Sequence, residues 1–387
     1  MGKKTFQAAL MKELRKTLLA LFLIALILVL SPVAVHAFEV TTTITLENPG
    51  GYYGVAYDSG KGEVCLTNGD FDLVYAISDI NNAVVATIPV GRTPSGIAYD
   101  PAKGELFVTN FGSDTVSVVS DKNHTVVATI RVGRQPMGIA YDSGKGEIFV
   151  ANFGSDSVSV ISDSTNTVVA NITVGSQPSA LAYDSDRGEI FVGHAACDQV
   201  LVISDSTNAV VANVTVGNQP TSLAYAPGKG KIFVANYNSS SVSVISDSTN
   251  LVVATVHVGS NPTDIAYDSV NDQIYVANYI SSSISVISDN TNTVIETVPL
   301  ENHPQAIGYD SGKEEIFVAY SESNRVSVIS VSSSLLPSPS VPEYPLFIVV
   351  SLLMVTIFLA AILYRGKHRL KHAHVNFRAL KCGKAHG

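Results

Sequence analysis

Apolar and polar residues alternate in short runs through the middle of the chain, and the alternation recurs. From Ser95, SGIAYD alternates up to the turn PAKG, and ELFVTN (Glu105–Asn110) follows and stops at FGSD. TVSVVS (Thr115–Ser120) then interleaves Val with polar residues before DKNH, and VVATIRV (Val126–Val132) completes the set ahead of Gly133-Arg134-Gln135-Pro136. Short runs with period two, bounded by Gly, Asp, Asn or Pro, predict four antiparallel strands in a meander. The phrase returns at a fixed step of 42 residues, with its Tyr at Tyr57, Tyr99, Tyr141, Tyr183, Tyr225, Tyr267 and Tyr309. A period of roughly 40–45 residues filled by four strands is one propeller blade and leaves no room for helices. The expected fold is all-β: a seven-bladed β-propeller of four-stranded blades.

The end of the repeat array predicts how the ring closes. The seventh copy runs through QAIGYD, EEIFVAY and RVSVIS and stops without a fourth strand, while Val40–Leu46 (VTTTITL) precedes the first copy and looks like Val84–Val90 (VVATIPV). The amino-terminal strand is therefore expected to complete the last blade, burying Val40, Ile44 and Leu46. Deleting it would bare a sheet edge.

Two apolar segments flank the repeats. Residues 1–37 have the pattern of a secretory signal: basic Lys12, Arg15 and Lys16, the apolar run Leu18–Leu30, and small residues in Val35-His36-Ala37 ahead of an expected cleavage before Phe38. Residues 346–364 are apolar and uncharged, long enough to span a bilayer as a C-terminal transmembrane helix. Arg365, Lys367, Arg369 and Lys371 follow, which places a basic tail (365–387) on the cytoplasmic side. Residues 332–345 form a Ser/Pro-rich stalk whose prolines favour an extended spacer of about 40 Å at most. The expected arrangement is a single-pass type I membrane protein: propeller at 38–331 outside, tail inside. His368, His372 and His374 in the tail lie among Lys and Arg and read as part of that basic cluster.

Charge separates the same regions. Residues 38–344 hold 12 of the 24 Lys and Arg but 32 of the 33 Asp and Glu, leaving the middle at −20 and the flanks basic. An acidic domain disfavours nucleic acid, whose phosphates need a basic surface. Three Cys are too few for a disulfide framework: Cys65 occupies the core register of Phe107 and Phe149, and Cys382 lies beyond the second apolar segment.

The residues resemble the YVTN-family β-propeller repeat. Its name motif stands as Phe107-Val108-Thr109-Asn110, as FVAN at 149–152 and 233–236, and as Tyr275-Val276-Ala277-Asn278, followed by SVSVISD at 157–163 and 241–247. The resemblance covers about 290 residues. It implies a seven-bladed propeller, akin to surface-layer-like proteins of archaea and bacteria and more distantly to propeller domains of some redox enzymes and lactonases. It implies no single activity. The expected function is a non-enzymatic binding or adhesion module of the cell surface, taking an extracellular protein or glycan as partner. The alternatives are a lactonase-like or metal-dependent extracytoplasmic enzyme and a structural surface-layer unit.

Candidate chemistry is sparse. The strand-ending Asn68, Asn110, Asn152, Asn236 and Asn278 read as turn caps rather than a polar ring. The Asp series at 79, 121, 163, 205, 247 and 289 reads as Asx turns, since a circle of carboxylates cannot converge on one calcium ion. Blade four departs from the repeat with GHAACDQ (193–199) where blade three has ANFGSDS. His194, Cys197 and Asp198 in that loop are candidate ligand-contacting residues; a metal site or Cys–His nucleophile would need a third partner that no other loop offers. No catalytic triad, paired carboxylates, haem motif or phosphate loop is present in the sequence, so no cofactor or metal is expected. Four sequons, at Asn123, Asn171, Asn213 and Asn238, are glycosylation candidates, and Asn171 and Asn213 fall at equivalent water-facing positions of a fourth strand.

Overall fold

The computed structural model describes Lys16 and residues 35–334. His36–Ser332 form one compact unit. It contains seven four-stranded antiparallel sheets. Six are built from consecutive strands, as in blade two, Pro94–Asp100, Glu105–Asn110, Thr115–Ser120 and Thr125–Arg131. The expected strands are all present, with boundaries displaced by a single residue at most in this blade. Among the described residues of this unit, the one departure from pure strand and turn is a 3-10 turn at Tyr237–Ser239.

The seventh sheet closes the ring as the sequence predicts. Val35–Gly50 lies outermost, beside Ser323–Ser334, Glu315–Tyr320 and then Pro304–Asp310. Thr41 Oγ1 donates to the Val328 carbonyl at 3.2 Å, and Asn324 Nδ2 donates to the Leu46 carbonyl at 3.2 Å. Ile44 and Leu46 are buried, but Val40 is 46% exposed. The expectation for Val40 is corrected: the inward anchor at this end is Phe38, whose ring meets Tyr275 edge-on at 6.0 Å.

Burial follows position within the blade. The second strands are buried on both sides because each is sandwiched between neighbouring sheets; EIFVAN (147–152) has five of six residues buried. The fourth strands alternate, as in Thr125–Arg131, because only one face meets the protein. Core clusters straddle blades: Phe149 and Val160 of blade three pack with Leu181 and Ile190 of blade four. Cys65 is buried and opposite Ala56 and Ala76, as its register suggests, and is a free thiol, as is exposed Cys197.

Two sequence expectations change. In four blades the strand-ending Asn does not cap a turn: Asn110 Nδ2 crosses to Thr115 Oγ1 at 3.1 Å and Ser117 Oγ at 2.9 Å, and Asn152, Asn236 and Asn278 do the same with Ser. Only Asn68 accepts from the turn, from the N–H groups of Asp70 and Phe71. Second, the Asx turns belong to the Asp after the repeat Tyr, not to the Asp79 series. Asp58 Oδ1 accepts from Gly60 N and Lys61 N at 3.0 and 3.1 Å, and Asp142 and Asp310 repeat this. Asp79 and Asp121 instead accept from the phenols of Tyr57 and Tyr99 at 3.3 and 3.4 Å. Each phenol also meets the preceding blade. Burial, then the Asp58 carboxylate of blade one, push the Tyr99 phenol well above its ordinary range, and Asp310 of blade seven acts likewise on Tyr57. The repeat Tyr is thus a strap between blades.

The apolar segment 346–364, the stalk beyond residue 334, the tail and most of residues 1–37 lie outside the described residues, and the first three stalk positions extend the strand Ser323–Ser334. Among the described residues, no helix is long and apolar enough to cross a membrane.

Candidate functional site: the mouth of the central channel

The inner strand of every blade begins at a Tyr or Pro paired with the end of the second strand, as in Pro262 opposite Asn278. Just beyond it the register shifts, between Pro262 and Asp264 in blade six and between Pro94 and Ile97 in blade two. A bulge re-aims side chains, and here residues around the shift in each inner strand line the channel, three in a row in blades one to six and Gln305 and Ile307 in blade seven. The resulting cavity holds about 670 Å³ and draws lining residues from all seven blades.

One wall is nearly bare. Gly54, Gly96 and Gly138 line blades one to three, where a Cβ would lie 2.5–2.7 Å from the Ser95, Met137 and Ser179 carbonyl oxygens of the next blade. The other wall carries side chains at the same register: Ala180, Ser222, Asp264 and Ala306, of which the first three line the cavity. Asp264 is the only charged group in the lining. Its Oδ1 accepts from Ser222 Oγ of blade five at 2.8 Å and from Ile265 N at 2.9 Å, and its Oδ2 accepts from Ile307 N of blade seven at 2.9 Å. Burial raises its pKa to about 6, against the pull of these hydrogen bonds in the other direction. Sequence reasoning missed this residue. Its signal was the D of DIAYD, an acid at a position that is Gly, Ala or Ser in the other six copies.

The rim is built from two loops of each blade. The Gly-x-x-Pro turn pairs with the loop after the second strand, Phe111 N to Thr93 O at 2.9 Å and Tyr237 N to Gln219 O at 2.9 Å. Thr93, Gln135, Gln177, Gln219 and Asn261 in these turns hold left-handed backbone angles, φ from 49° to 58°. Such geometry is uncommon outside Gly and costs of order 1 kcal/mol where surroundings impose it. Phe111, Phe153, Tyr237 and Tyr279 stand at equivalent, half-buried positions around the mouth. In blade one the position is Gly69, and Tyr53 fills its space, 2.6 Å from where a Cβ would be. In blade four it is Ala195, which lines the cavity and leaves a gap in the collar.

The three candidates of the blade-four loop go to three places. His194 takes the strand-ending Asn position, is buried, and its Nδ1 lies 2.9 Å from the Ser176 carbonyl; its Nε2 has no hydrogen-bond partner. Burial lowers its pKa, so the imidazole is held neutral. Asp198 anchors the adjoining turn, accepting from Gln219 N and Asn218 Nδ2 at 3.0 Å, as Asp114 does for Gln135. Cys197 is exposed, and partial loss of hydration followed by the nearby Asp198 carboxylate raises its pKa. Among the described residues, no three His, Cys, Asp or Glu are gathered as a metal site requires. The sequon residues Asn123, Asn171, Asn213 and Asn238 are all exposed.

No family model matches this chain, and no curated protein does. A solved chain of Kuenenia stuttgartiensis hydrazine synthase superposes on it with a TM-score of 0.67 at 18% identity, covering 77% of this chain and all of that one. The fold is a seven-bladed β-propeller. At that identity the likeness carries the fold alone, and the channel-mouth chemistry belongs to this chain.

Proposed function

We propose that this propeller is a non-enzymatic binding module of the cell envelope, of the YVTN-repeat kind, holding a protein or glycan partner at the channel mouth. The observation that carries the reading is the rim: half-buried aromatic rings alternate with amide-bearing turns held in left-handed geometry. Rigidly presented loops are where scaffolds of this kind place recognition. Aromatic faces with fixed amides supply contact area and oriented hydrogen bonds at low entropic cost, the chemistry both peptides and sugars require. The sequence supports the envelope setting through its signal-like start, apolar segment 346–364 and basic tail, and the exposed sequons fit it. A binding role is favoured over catalysis because the channel carboxylate contacts only a serine and two backbone N–H groups rather than an acid–base partner.

The test is capture from envelope extracts by the full chain, compared with the Phe111→Ser/Phe153→Ser double variant. Rim recognition predicts at least a tenfold loss of the captured partner with the melting profile retained. Equal capture would move the search to another face. Protease added to intact cells, digesting the propeller and sparing the tail, tests the membrane arrangement.

A further inference from the structure

From blade four to blade six the channel wall is chemically one-sided in a second respect: the hydroxyl donors of its inner strands are spent. Ser179 Oγ donates to Pro220 O at 3.2 Å, Thr221 Oγ1 to Pro262 O at 3.1 Å, and Thr263 Oγ1 to Pro304 O at 3.2 Å. Ser222 Oγ is committed to Asp264. What these groups leave facing the cavity are acceptor lone pairs. Asp264 Oδ2 receives only the Ile307 N–H, and Gln305 Oε1, one strand over, receives no donor. No Lys, Arg or His lines the cavity to neutralise the carboxylate. Val55, Ile97 and Ile139 add apolar lining across the channel, as Leu223 and Ile265 do beside the carboxylate.

From this juxtaposition we infer that the channel binds a small organic ammonium ion, its N–H groups on Asp264 and the neighbouring acceptors and its aliphatic stem against the Val55–Ile97–Ile139 wall. A charge-assisted bond to an otherwise unneutralised carboxylate is the strong contact, and the apolar wall selects a carbon stem over a bare metal ion. A calcium ion would need six or more converging oxygens, whereas Asp264 already spends three lone pairs on N–H and O–H donors. The volume of about 670 Å³ suits a small ligand. The gap at Ala195 is a way in: between Phe153 and Tyr237 the bulky ring is missing, as it also is at Ser321 of blade seven, but Ala195 itself lines the cavity. The blade-four departure thereby finds a role through Ala195. The inference rests on the reading of the propeller as a binding module and assigns the chemistry of its deepest subsite.

Calorimetric titration of the full chain at pH 7.5 tests it with n-butylammonium, with n-butanol as the neutral stem, and with calcium ions. Saturable butylammonium binding is expected, with butanol at least tenfold weaker and Asp264→Asn lowering butylammonium affinity at least tenfold. Ala195→Phe, which restores a ring native to this register and leaves the carboxylate untouched, should lower affinity at least threefold. Absence of butylammonium binding, equal binding by butanol or by Asp264→Asn, no effect of Ala195→Phe, or a preference for calcium would each overturn it. A chain that still captures its envelope partner through the rim but ignores butylammonium would separate failure of this inference from failure of the binding-module reading.

Discussion

The channel walls of blades one and two and of blades four to six solve one problem in two ways. Adjacent inner strands must be tied together where the bulge has freed their backbone groups. In blades one and two the tie comes from the second strand: Thr67 Oγ1 accepts from Gly54 N at 2.9 Å and donates to Ser95 O at 2.7 Å, and Thr109 does the same with Gly96 N and Met137 O. In blades four to six the hydroxyl has moved onto the inner strand itself, as Ser179, Thr221 and Thr263, and the second strand carries Gly193, Ala235 and Ala277. In these first two blades, as in blade three, the neighbouring carbonyl lies so close that only Gly fits at the channel face. The second solution leaves room for a side chain there. A carboxylate is therefore tolerated at position 264 and would not be at Gly54 or Gly96. Blades three and seven, with Ala151 and Ala319 on the second strand and Met137 and Gln305 on the inner one, have neither hydroxyl and mark the junctions.

The two walls form one ring only if it is closed, and the clasp strand is where that is most exposed to attack. Deleting Val40–Leu46 should produce the largest effect, since burial of Ile44 and Leu46 alone is worth about 1.5–3 kcal/mol each and an open sheet edge remains. Aggregation or loss of cooperative melting is expected. Wild-type melting would mean the walls hold together without blade seven's outer strand.

Next in size is Gly96→Ala on the bare wall, where the new Cβ would lie 2.5 Å from Met137 O. Overpacking against backbone should cost about 1–3 kcal/mol. The reverse change on the other wall, Ala306→Gly, should cost no more than about 1 kcal/mol. Equal costs by chemical denaturation would dissolve the distinction between the walls.

A third experiment follows the carboxylate. Because burial raises the folded pKa of Asp264 to about 6, well above the ordinary carboxylate range, the unfolded chain gives up its proton first as pH rises. Asp264 therefore leaves the fold most stable below about pH 4 and weakens it progressively up to about pH 6, by on the order of 2 kcal/mol. Asp264→Asn should remove that slope and melt higher than wild type at pH 7.5. Parallel pH profiles of the two proteins would show that burial does not penalise this group.

The smallest effect is expected at His194, on the loop that sets blade four apart. Its pKa is lowered by burial, so the unfolded state takes up a proton first as pH falls below about 6.5 and stability is lost in that direction. His194→Asn restores the residue of the neighbouring blades and removes the unpaired Nε2, a gain of about 1 kcal/mol near pH 6. No difference between the proteins at pH 6 would show that the imidazole is solvated.

Period and alternation determined the fold from the sequence alone. A step of 42 residues with four alternating runs admits little besides a propeller blade, and the orphan strand at Val40–Leu46 announced the closure. These are local signals, because a strand's pattern records which of its faces is buried. Even the two walls leave a trace, with Thr67 and Thr109 accompanying Gly54 and Gly96 where Ala235 and Ala277 accompany Ser222 and Asp264. The jobs of individual polar residues were decided by tertiary structure. Asn110 and Asp79 look like turn residues in sequence, yet one crosses to the next strand and the other receives a tyrosine strap. His194, Cys197 and Asp198 are neighbours along the chain, but a strand end and a tight turn send them apart. Asp264 is a single letter among seven similar phrases, and its meaning comes from being carried by the ring to a shared axis with no opposite charge beside it. A repeat determines its own neighbours; what meets at the centre of seven repeats exists only once the circle has closed.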